Sequence, residues 1–187
     1  MRLFAAVLPP EAVVAELAGR VDDLKRLPGA GALRWTERAG WHLTLAFFGE
    51  VDDGVVPDLT ARLERAARRT PPFPLALRGG GRFGDRALWA GVAGGVAELR
   101  LLAGRAGAAG RRAGADVDTG RGFHPHLTLA RARGAADLVP FVEELWGFGG
   151  VEGGVGELVL VRSHLPRGGV CGARPRYEPL AGWALGG

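Results

Sequence analysis

One tetrapeptide occurs twice in this chain, as His42-Leu43-Thr44-Leu45 and as His126-Leu127-Thr128-Leu129. The chain has only four histidines, and two of them begin these identical segments, one in each half of the sequence. Alternate side chains of a β-strand point to opposite faces, so the histidine and threonine of each copy share one face and the two leucines share the other. The repeat therefore predicts two strands with buried leucines, which a pseudo-twofold axis would bring together at one cleft.

The chemistry of such a cleft follows from its side chains. Two imidazoles with ordinary pKa values of about 6.5 can serve as one general base and one general acid. Threonine hydroxyls can donate hydrogen bonds to the non-bridging oxygens of a phosphate, and a histidinium adds positive charge. The sequence thus favours in-line displacement at phosphorus. Two other interpretations are a pair of ordinary strands with hydrogen-bonded histidines and a zinc site. The duplication disfavours the first, and the second lacks a third ligand at a typical spacing.

Composition limits the class of protein. The 187 residues suffice for about one domain, and 47% hydrophobic with 24% charged residues is typical of a globular chain. The single cysteine, Cys171, excludes an intramolecular disulfide. No apolar run has the length needed to cross a bilayer, and the short apolar stretch at residues 2–8 is interpreted as a strand and not as a signal peptide. We therefore expect no membrane association and a cytoplasmic protein.

The charge is positive and is carried almost entirely by arginine. The net charge is +4, and Lys25 is the only lysine among the 24 basic residues. Because alanine, glycine and arginine are all abundant, mutational bias explains this composition, and the charge permits a nucleic-acid partner without demonstrating one. The pairs Arg68-Arg69 and Arg111-Arg112 are interpreted as cations that end predicted helices, where they complement the helix dipole.

Hydrophobic spacing predicts a chain of mixed helix and strand. Apolar residues at helical spacing indicate helices, and short apolar or alternating runs between turn residues indicate strands. The glycine cluster at residues 79–81 is interpreted as a hairpin turn. The predicted helices are residues 10–26, 55–69, 95–113 and 137–146, and the predicted strands are residues 2–8, 41–48, 74–78, 86–92, 126–131 and 156–163, with an extended tail at 174–185. This order favours an α+β fold with antiparallel sheet.

The two His-x-Thr-x motifs and their flanks resemble those of a known family. The similar segments are RLFAA at 2–6 with LP at 8–9, WHLTLAFFGE at 41–50, FHPHLTLAR at 123–131, RYEPL at 176–180 and WAL at 183–185. On these segments the chain resembles the RNA 2′,3′-cyclic phosphodiesterases, also called 2′-5′ RNA ligases, of the two-histidine phosphoesterase superfamily. The resemblance is specific at the motifs and loose in the helices between them, and it leaves segment 134–154 unplaced.

The resemblance implies both a fold and an activity. It implies an α+β fold of two pseudo-symmetric lobes, each an antiparallel β-sheet with helices on the outside, around a central cleft. Residues 1–187 would form this single domain, with motif 42–45 in one lobe and motif 126–129 in the other. The implied activity is metal-independent hydrolysis of an RNA terminal 2′,3′-cyclic phosphate to a 2′-phosphate, reversible as 2′-5′ RNA ligation. The implied partner is RNA with a cyclic phosphate end, such as a tRNA fragment, bound by a monomer with no obligate protein partner, no cofactor and no metal.

The same resemblance assigns roles within the motifs. His42 and His126 form the acid–base pair, and by analogy with the family His42 is the acid and His126 the base. Thr44 and Thr128 hold phosphate oxygens. Arg131 alternates onto the leucine face if its strand is regular, whereas a bend in the strand would bring it to the cleft as a phosphate contact.

Aromatic residues and the other histidines near the motifs have weaker assignments. Phe48 lies at even spacing from His42, so it can face the cleft and stack on a nucleobase. His124 is expected to support the second motif without direct catalysis. Trp89 and Trp146 are expected in the core.

Two other functions remain open at this point. One is a cyclic phosphodiesterase for a small nucleotide. The other is a non-catalytic module that binds RNA ends, which would keep the cleft and the arginines without turning substrate over.

Overall fold

A computed structural model describes residues 1–118, 122–165 and 175–187, so Cys171 lies outside the described residues. Over the described ranges the chain forms nine β-strands and four α-helices. The strands are β1 Arg2–Val7, β2 Leu33–Trp35, β3 Leu43–Glu50, β4 Phe73–Phe83, β5 Ala87–Gly94, β6 Leu127–Ala132, β7 Gly153–Val155, β8 Glu157–His164 and β9 Arg176–Ala184. The helices are α1 Glu11–Leu24, α2 Val56–Arg68, α3 Val96–Ala113 and α4 Val139–Trp146.

The strands form two antiparallel sheets, which confirms the predicted α+β fold class. The first sheet has the strand order β3-β1-β8-β9, and the second has the order β2-β6-β5-β4-β7. Every paired neighbour runs antiparallel. The first histidine motif leads into β3 and the second into β6, so each sheet carries one motif. Strands β3 and β6 also contact each other, which brings the two motifs to the junction between the sheets.

Helices cover each sheet, and two of them, α1 and α3, pack mainly on the sheet that does not contain the strand before them. Helix α3 packs on β3 and helix α2 packs on β8 and β9, so both cover the first sheet. Helix α1 follows β1 of the first sheet but packs against β4 of the second, together with α4. Its buried face consists of Val13, Val14, Leu17, Val21 and Leu24, the set that helical spacing predicts. Among the described residues, no helix is long and apolar enough to span a bilayer.

The glycines at 79–81 are part of a strand, and the prediction that they form the hairpin turn is wrong. They lie within β4, and the turn to β5 falls at residues 84–86, where Gly84 has a φ of 53°. A β-carbon at Gly80 would lie 2.5 Å from Leu145 of α4, and one at Gly81 would overlap the Trp89 ring. These positions therefore need glycine because neighbouring side chains pack directly on the backbone.

Both motif strands carry a β-bulge at the last leucine of the tetrapeptide. In the pairing of β3 with β1, Thr44 lies opposite Ala6 and Ala46 lies opposite Ala5, so Leu45 has no partner. In the pairing of β6 with β5, Thr128 lies opposite Trp89 and Ala130 opposite Leu88, so Leu129 has none. An extra residue reverses the alternation of side chains beyond it.

The bulge in β3 overturns the prediction that Phe48 faces the cleft and stacks on a nucleobase. Phe48 is fully buried in the core, and its ring packs against Gly110 of α3. Even spacing from His42 would have kept Phe48 on the cleft face of a regular strand. The unpaired Leu45 shifts the alternation of side chains by one residue, so Phe47 and not Phe48 lies on the cleft face.

A pair of glycines on α3 tests the packing of Phe48. A β-carbon at Gly110 would lie 2.6 Å from the Phe48 ring and 2.7 Å from Val117, whereas Gly104 on the same helix has no atom within 4 Å. We expect Gly110→Ala to lower the free energy of unfolding, because overpacking costs about 1–3 kcal/mol and exceeds the helix-propensity gain of about 1 kcal/mol. We expect Gly104→Ala to raise it by up to about 1 kcal/mol. Urea denaturation measures both, and equal stability of the two variants would contradict this packing.

Candidate active site

The two motifs line one cavity of about 420 Å³ at the junction of the sheets. His42 and Thr44 lie on one side of it, and His126 and Thr128 lie on the other, together with Arg131. His42 immediately precedes β3 and His126 immediately precedes β6, so equivalent strand positions place the four motif side chains. The structure thus brings together the residues that the tetrapeptide repeat selects.

Each histidine is held by a hydrogen bond to the backbone two residues before it. Nδ1 of His42 lies 2.7 Å from the carbonyl oxygen of Gly40, and Nδ1 of His126 lies 2.7 Å from that of His124. A carbonyl oxygen can only accept, so Nδ1–H donates in both rings. Nε2 is then the nitrogen of each ring that can take up or deliver a proton. His124 contributes this carbonyl, which fits the supporting role expected of it.

Aromatic rings enclose both imidazoles. The ring centroids of Phe4 and Tyr177 lie 4.8 Å and 4.9 Å from that of His42. Phe83 lies 4.8 Å from His126 and meets it edge-on at 89°. Phe4 and Phe83 escape sequence analysis because apolar side chains on β1 and β4 are indistinguishable from core residues until the strands are paired.

Tyr177 shows how the first sheet is curved. It lies on β9, the edge strand opposite β3, and yet it contacts His42. The sheet therefore curls until its two edges approach each other at the cavity. The sequence does not indicate the contact between Tyr177 and His42, because a contact between opposite edges of a sheet leaves no local signal.

Burial lowers the pKa of both histidines. Desolvation is the largest cause for each ring, because it disfavours the imidazolium form. The backbone hydrogen bond opposes this effect. Positive charges add to it: His126 and Arg131 lower the pKa of His42, and His124 and Arg131 lower the pKa of His126. At neutral pH the lowered pKa values therefore favour two neutral rings, and a bound anion would favour protonation of one of them.

The bulge in β6 turns Arg131 into the cavity. It is the positional counterpart of Phe47, since each lies five residues after its motif histidine and beyond its bulge. The guanidinium of Arg2 lies 4.8 Å from the centre of the Phe47 ring. Among the described residues, Arg131 forms no salt bridge and no carboxylate lines this cavity. An anionic group fits this environment.

Three further cavities share residues with the central one, and two of them adjoin the motif side chains or Arg131. The larger, about 760 Å³, shares Thr44, Phe47 and His126 with it and extends along α3. The smaller, about 210 Å³, shares Arg131 and Tyr177 with it and lies on the opposite side. A ligand with a phosphate at the motifs has room for additional groups on either side.

His164, the fourth histidine, and the two tryptophans expected in the core do not line the central cavity. Nε2 of His164 donates to Glu178 at 2.6 Å, and this hydrogen bond lowers the pKa of the glutamate. Trp146 is 71% exposed, so the expectation of a core position is wrong, whereas Trp89 is half-buried and packs on His124 at 4.8 Å. Residues 1–118, 122–165 and 175–187 contain no cluster of three histidine, cysteine or acidic side chains that could hold a metal ion.

Comparison with known sequences identifies relatives over most of the chain. A family model described as the 2′-5′ RNA ligase superfamily matches residues 9–167. A Thermus thermophilus protein named RNA 2′,3′-cyclic phosphodiesterase is 37% identical over 100% of this chain and 91% of its own length. An Escherichia coli protein of the same name is 34% identical over 77% of this chain and 75% of its own length.

Solved structures with the same fold include close matches over the whole chain. A crystal structure of a Thermus thermophilus protein matches with a TM-score of 0.78 at 32% identity, covering 100% of this chain and 99% of that chain. Escherichia coli LigT complexed with 3′-AMP matches with a TM-score of 0.77 at 30% identity, covering 98% of this chain and 97% of that chain. The likeness thus includes both sheets and both motif strands.

Titration tests the environment of the two histidines. We expect the imidazole signals of His42 and His126 to titrate with midpoints below 6.5 in the ligand-free protein, because burial disfavours the charged ring. We also expect both neutral rings to carry their proton on Nδ1. Proton–nitrogen NMR measures both quantities, with His42→Asn and His126→Asn for assignment. A midpoint at or above 6.5, or a proton on Nε2, would contradict the geometry.

Proposed function

The chain belongs to the 2′-5′ RNA ligase superfamily, and on this premise we propose that it is an RNA 2′,3′-cyclic phosphodiesterase. The proposed reaction is metal-independent hydrolysis of a 2′,3′-cyclic phosphate at an RNA 3′ end to a 2′-phosphate. The observation that carries the proposal is the pair of Nδ1-anchored histidines in one cavity with two threonines and an arginine. The names of the relatives support the substrate class.

In the proposed mechanism, water attacks phosphorus in line with the 3′ oxygen. His126, neutral and with Nε2 unprotonated, accepts a proton from the attacking water. His42, protonated, delivers a proton to the departing 3′ oxygen. A bond forms between the water oxygen and phosphorus, the bond from phosphorus to the 3′ oxygen breaks, and the 2′ ester remains. This assignment of acid and base follows the family analogy. The product depends on which oxygen leaves: departure of the 3′ oxygen gives a 2′-phosphate, and departure of the 2′ oxygen would give a 3′-phosphate.

The remaining cavity side chains stabilise the negative charge that develops on the phosphate. Thr44 and Thr128 donate hydrogen bonds to the non-bridging oxygens, and Arg131 supplies a planar guanidinium beside them. Binding the dianionic transition state in a partly desolvated cavity strengthens these interactions. The scheme needs no metal ion, because the imidazoles move the protons and the cationic side chains offset the charge.

Ligation follows from the same displacement with a different nucleophile. A 5′ hydroxyl in place of water would attack the same phosphorus, displace the 3′ oxygen and produce a 2′-5′ phosphodiester. Because the displacement is a transesterification, the new linkage can be opened again by the free 3′ hydroxyl. The two flanking cavities offer space for RNA on both sides of the phosphate.

The first experiment follows the end group of a short RNA that carries a 2′,3′-cyclic phosphate, in the presence of excess EDTA. We expect a 2′-phosphate product from the native protein. His42→Ala and His126→Ala should each lower kcat by about 10²–10⁴-fold, the usual contribution of a general acid or base, and leave RNA affinity within about tenfold. His164→Ala is the matched control, since this histidine lies outside the cavity and should leave kcat unchanged.

Several outcomes would count against the proposal. A 3′-phosphate product would keep the enzyme class and reverse the leaving group. Equal activity on a cyclic mononucleotide would favour the small-nucleotide alternative. Binding of RNA without turnover by the folded native protein would favour the binding module.

The pH dependence of the rate tests whether one histidine acts as a base while the other acts as an acid. We expect a bell-shaped profile of kcat/KM, because the base must be neutral and the acid protonated in the free enzyme. The centre of a bell lies midway between its two pKa values. Both histidine pKa values are lowered from 6.5, so the centre should fall below 6.5. A flat profile from about pH 5 to about pH 9, with chemistry limiting the rate, would contradict a two-histidine mechanism.

A further inference from the structure

Helices α2 and α3 enclose a second basic site away from the catalytic cavity. A groove of about 120 Å³ between them, termed the α2–α3 groove, is lined by arginines from both sides. Arg62, Arg65 and Arg69 come from α2 and its C-terminal cap, and Arg105 and Arg112 come from α3. Its other lining residues are Ala66, Ala108 and Ala109, whose small side chains leave space between the guanidinium groups.

The positive charge in this groove is largely uncompensated. Arg62 donates to Asp58 at 2.7 Å. Nη1 of Arg105 donates to Thr70 Oγ1 at 2.7 Å and to the backbone carbonyl of Arg69, so it caps the end of α2 and is held in place without losing its charge. Within the described part of the chain, Arg65, Arg69 and Arg112 have no carboxylate partner, and no acidic side chain lines the groove.

Helix dipoles account for single arginines but not for this arrangement. Arg69 and Arg112 each lie near the C-terminus of a helix, as the sequence suggests. Arg65 also lies in the last turn of α2, whereas Arg62 and Arg105 lie away from the C-terminal ends of their own helices, yet all five side chains line the same small groove. Five guanidinium groups around one groove repel each other unless an anion lies between them.

The groove also adjoins the path out of the catalytic cavity. Arg111 lines the 760 Å³ cavity that shares Thr44 and His126 with the catalytic cavity. The next residue, Arg112, lines the α2–α3 groove. Only the exposed ridge of α3 separates the two, so a chain leaving the larger cavity past Arg111 reaches the groove after crossing one helix.

We propose that the α2–α3 groove binds the phosphate backbone of the RNA substrate, away from its cyclic end. The inference rests on the proposed function for the choice of RNA as the anion. Guanidinium groups match phosphate oxygens in pairs, and contacts to backbone phosphates raise affinity without reading sequence. The groove therefore adds affinity for long RNA and leaves the chemistry at the cyclic phosphate unchanged.

The test compares two double variants that remove the same charge. Arg65→Ala/Arg112→Ala takes one exposed arginine from each wall of the groove. Lys25→Ala/Arg26→Ala, at the end of α1 on the other sheet, is the control. Fluorescence anisotropy measures binding to a single-stranded RNA of about 20 nucleotides that already ends in a 2′-phosphate, so that no turnover is needed. A dinucleotide with a 2′,3′-cyclic phosphate measures kcat/KM.

We expect the groove variant to bind the long RNA about tenfold more weakly than the control variant at low salt. The slope of log affinity against log salt should become shallower by about 1.4, since each phosphate contact on a single strand contributes about 0.7. The kcat/KM for the dinucleotide should stay within about twofold of the native value for both variants.

Three results would overturn the groove proposal: equal weakening by the control variant, an unchanged salt slope, or no measurable binding of the long RNA by the native protein. Failure of the proposed function gives a different result. If the native protein does not hydrolyse the dinucleotide but the groove variant still loses long-RNA affinity, the groove stands and the catalytic proposal fails.

Discussion

A β-strand offers only two faces, and the position of each candidate side chain on β3 and β6 depends on which face it reaches. Ahead of the bulges at Leu45 and Leu129, histidine and threonine face the cavity and the leucines face the core. Immediately after these bulges the order reverses, so Phe47 and Arg131 lie on the cavity side. A regular strand would place Arg131 on the leucine face, where burial of an unpaired guanidinium carries a large desolvation cost. The bulges therefore bring the Arg131 cation to the cavity and keep Phe48 in the core.

The site combines two requirements that oppose each other. Burial among Phe4, Tyr177 and Phe83 lowers the pKa of the histidines and favours neutral rings, which suits a base. An acid needs a proton at the same pH. In the proposed mechanism the substrate resolves this conflict, because the negative charge of a bound phosphate raises the histidine pKa values and allows one ring to be protonated. The hydrogen bonds from Nδ1 prevent either ring from presenting the wrong nitrogen.

Sequence patterns predict much of the architecture, and their failures have identifiable causes. The helix over 10–26 and the strand over 156–163 match α1 and β8 closely, because their apolar faces are long and regular. The prediction of a turn at the glycines of 79–81 is wrong. A glycine that is required because the Trp89 ring packs on its backbone cannot be distinguished in the sequence from a glycine that forms a turn. The core position predicted for Trp146 rests on composition alone, yet this residue ends α4 on the solvent side.

The sequence by itself determined the catalytic candidates. A histidine and threonine repeated at strand spacing in a chain with four histidines select four side chains, because alternation along a strand is a local property. Tertiary structure alone decided what surrounds them. The bulge in β3 places Phe47 instead of Phe48 at the cavity, and the curl of the first sheet brings Tyr177 to His42. The contact between α2 and α3 gathers five arginines around one groove. All three features arise from contacts between segments that are distant in the sequence. Such pairing depends on the free energy of the whole fold, and a local pattern of residues does not encode it.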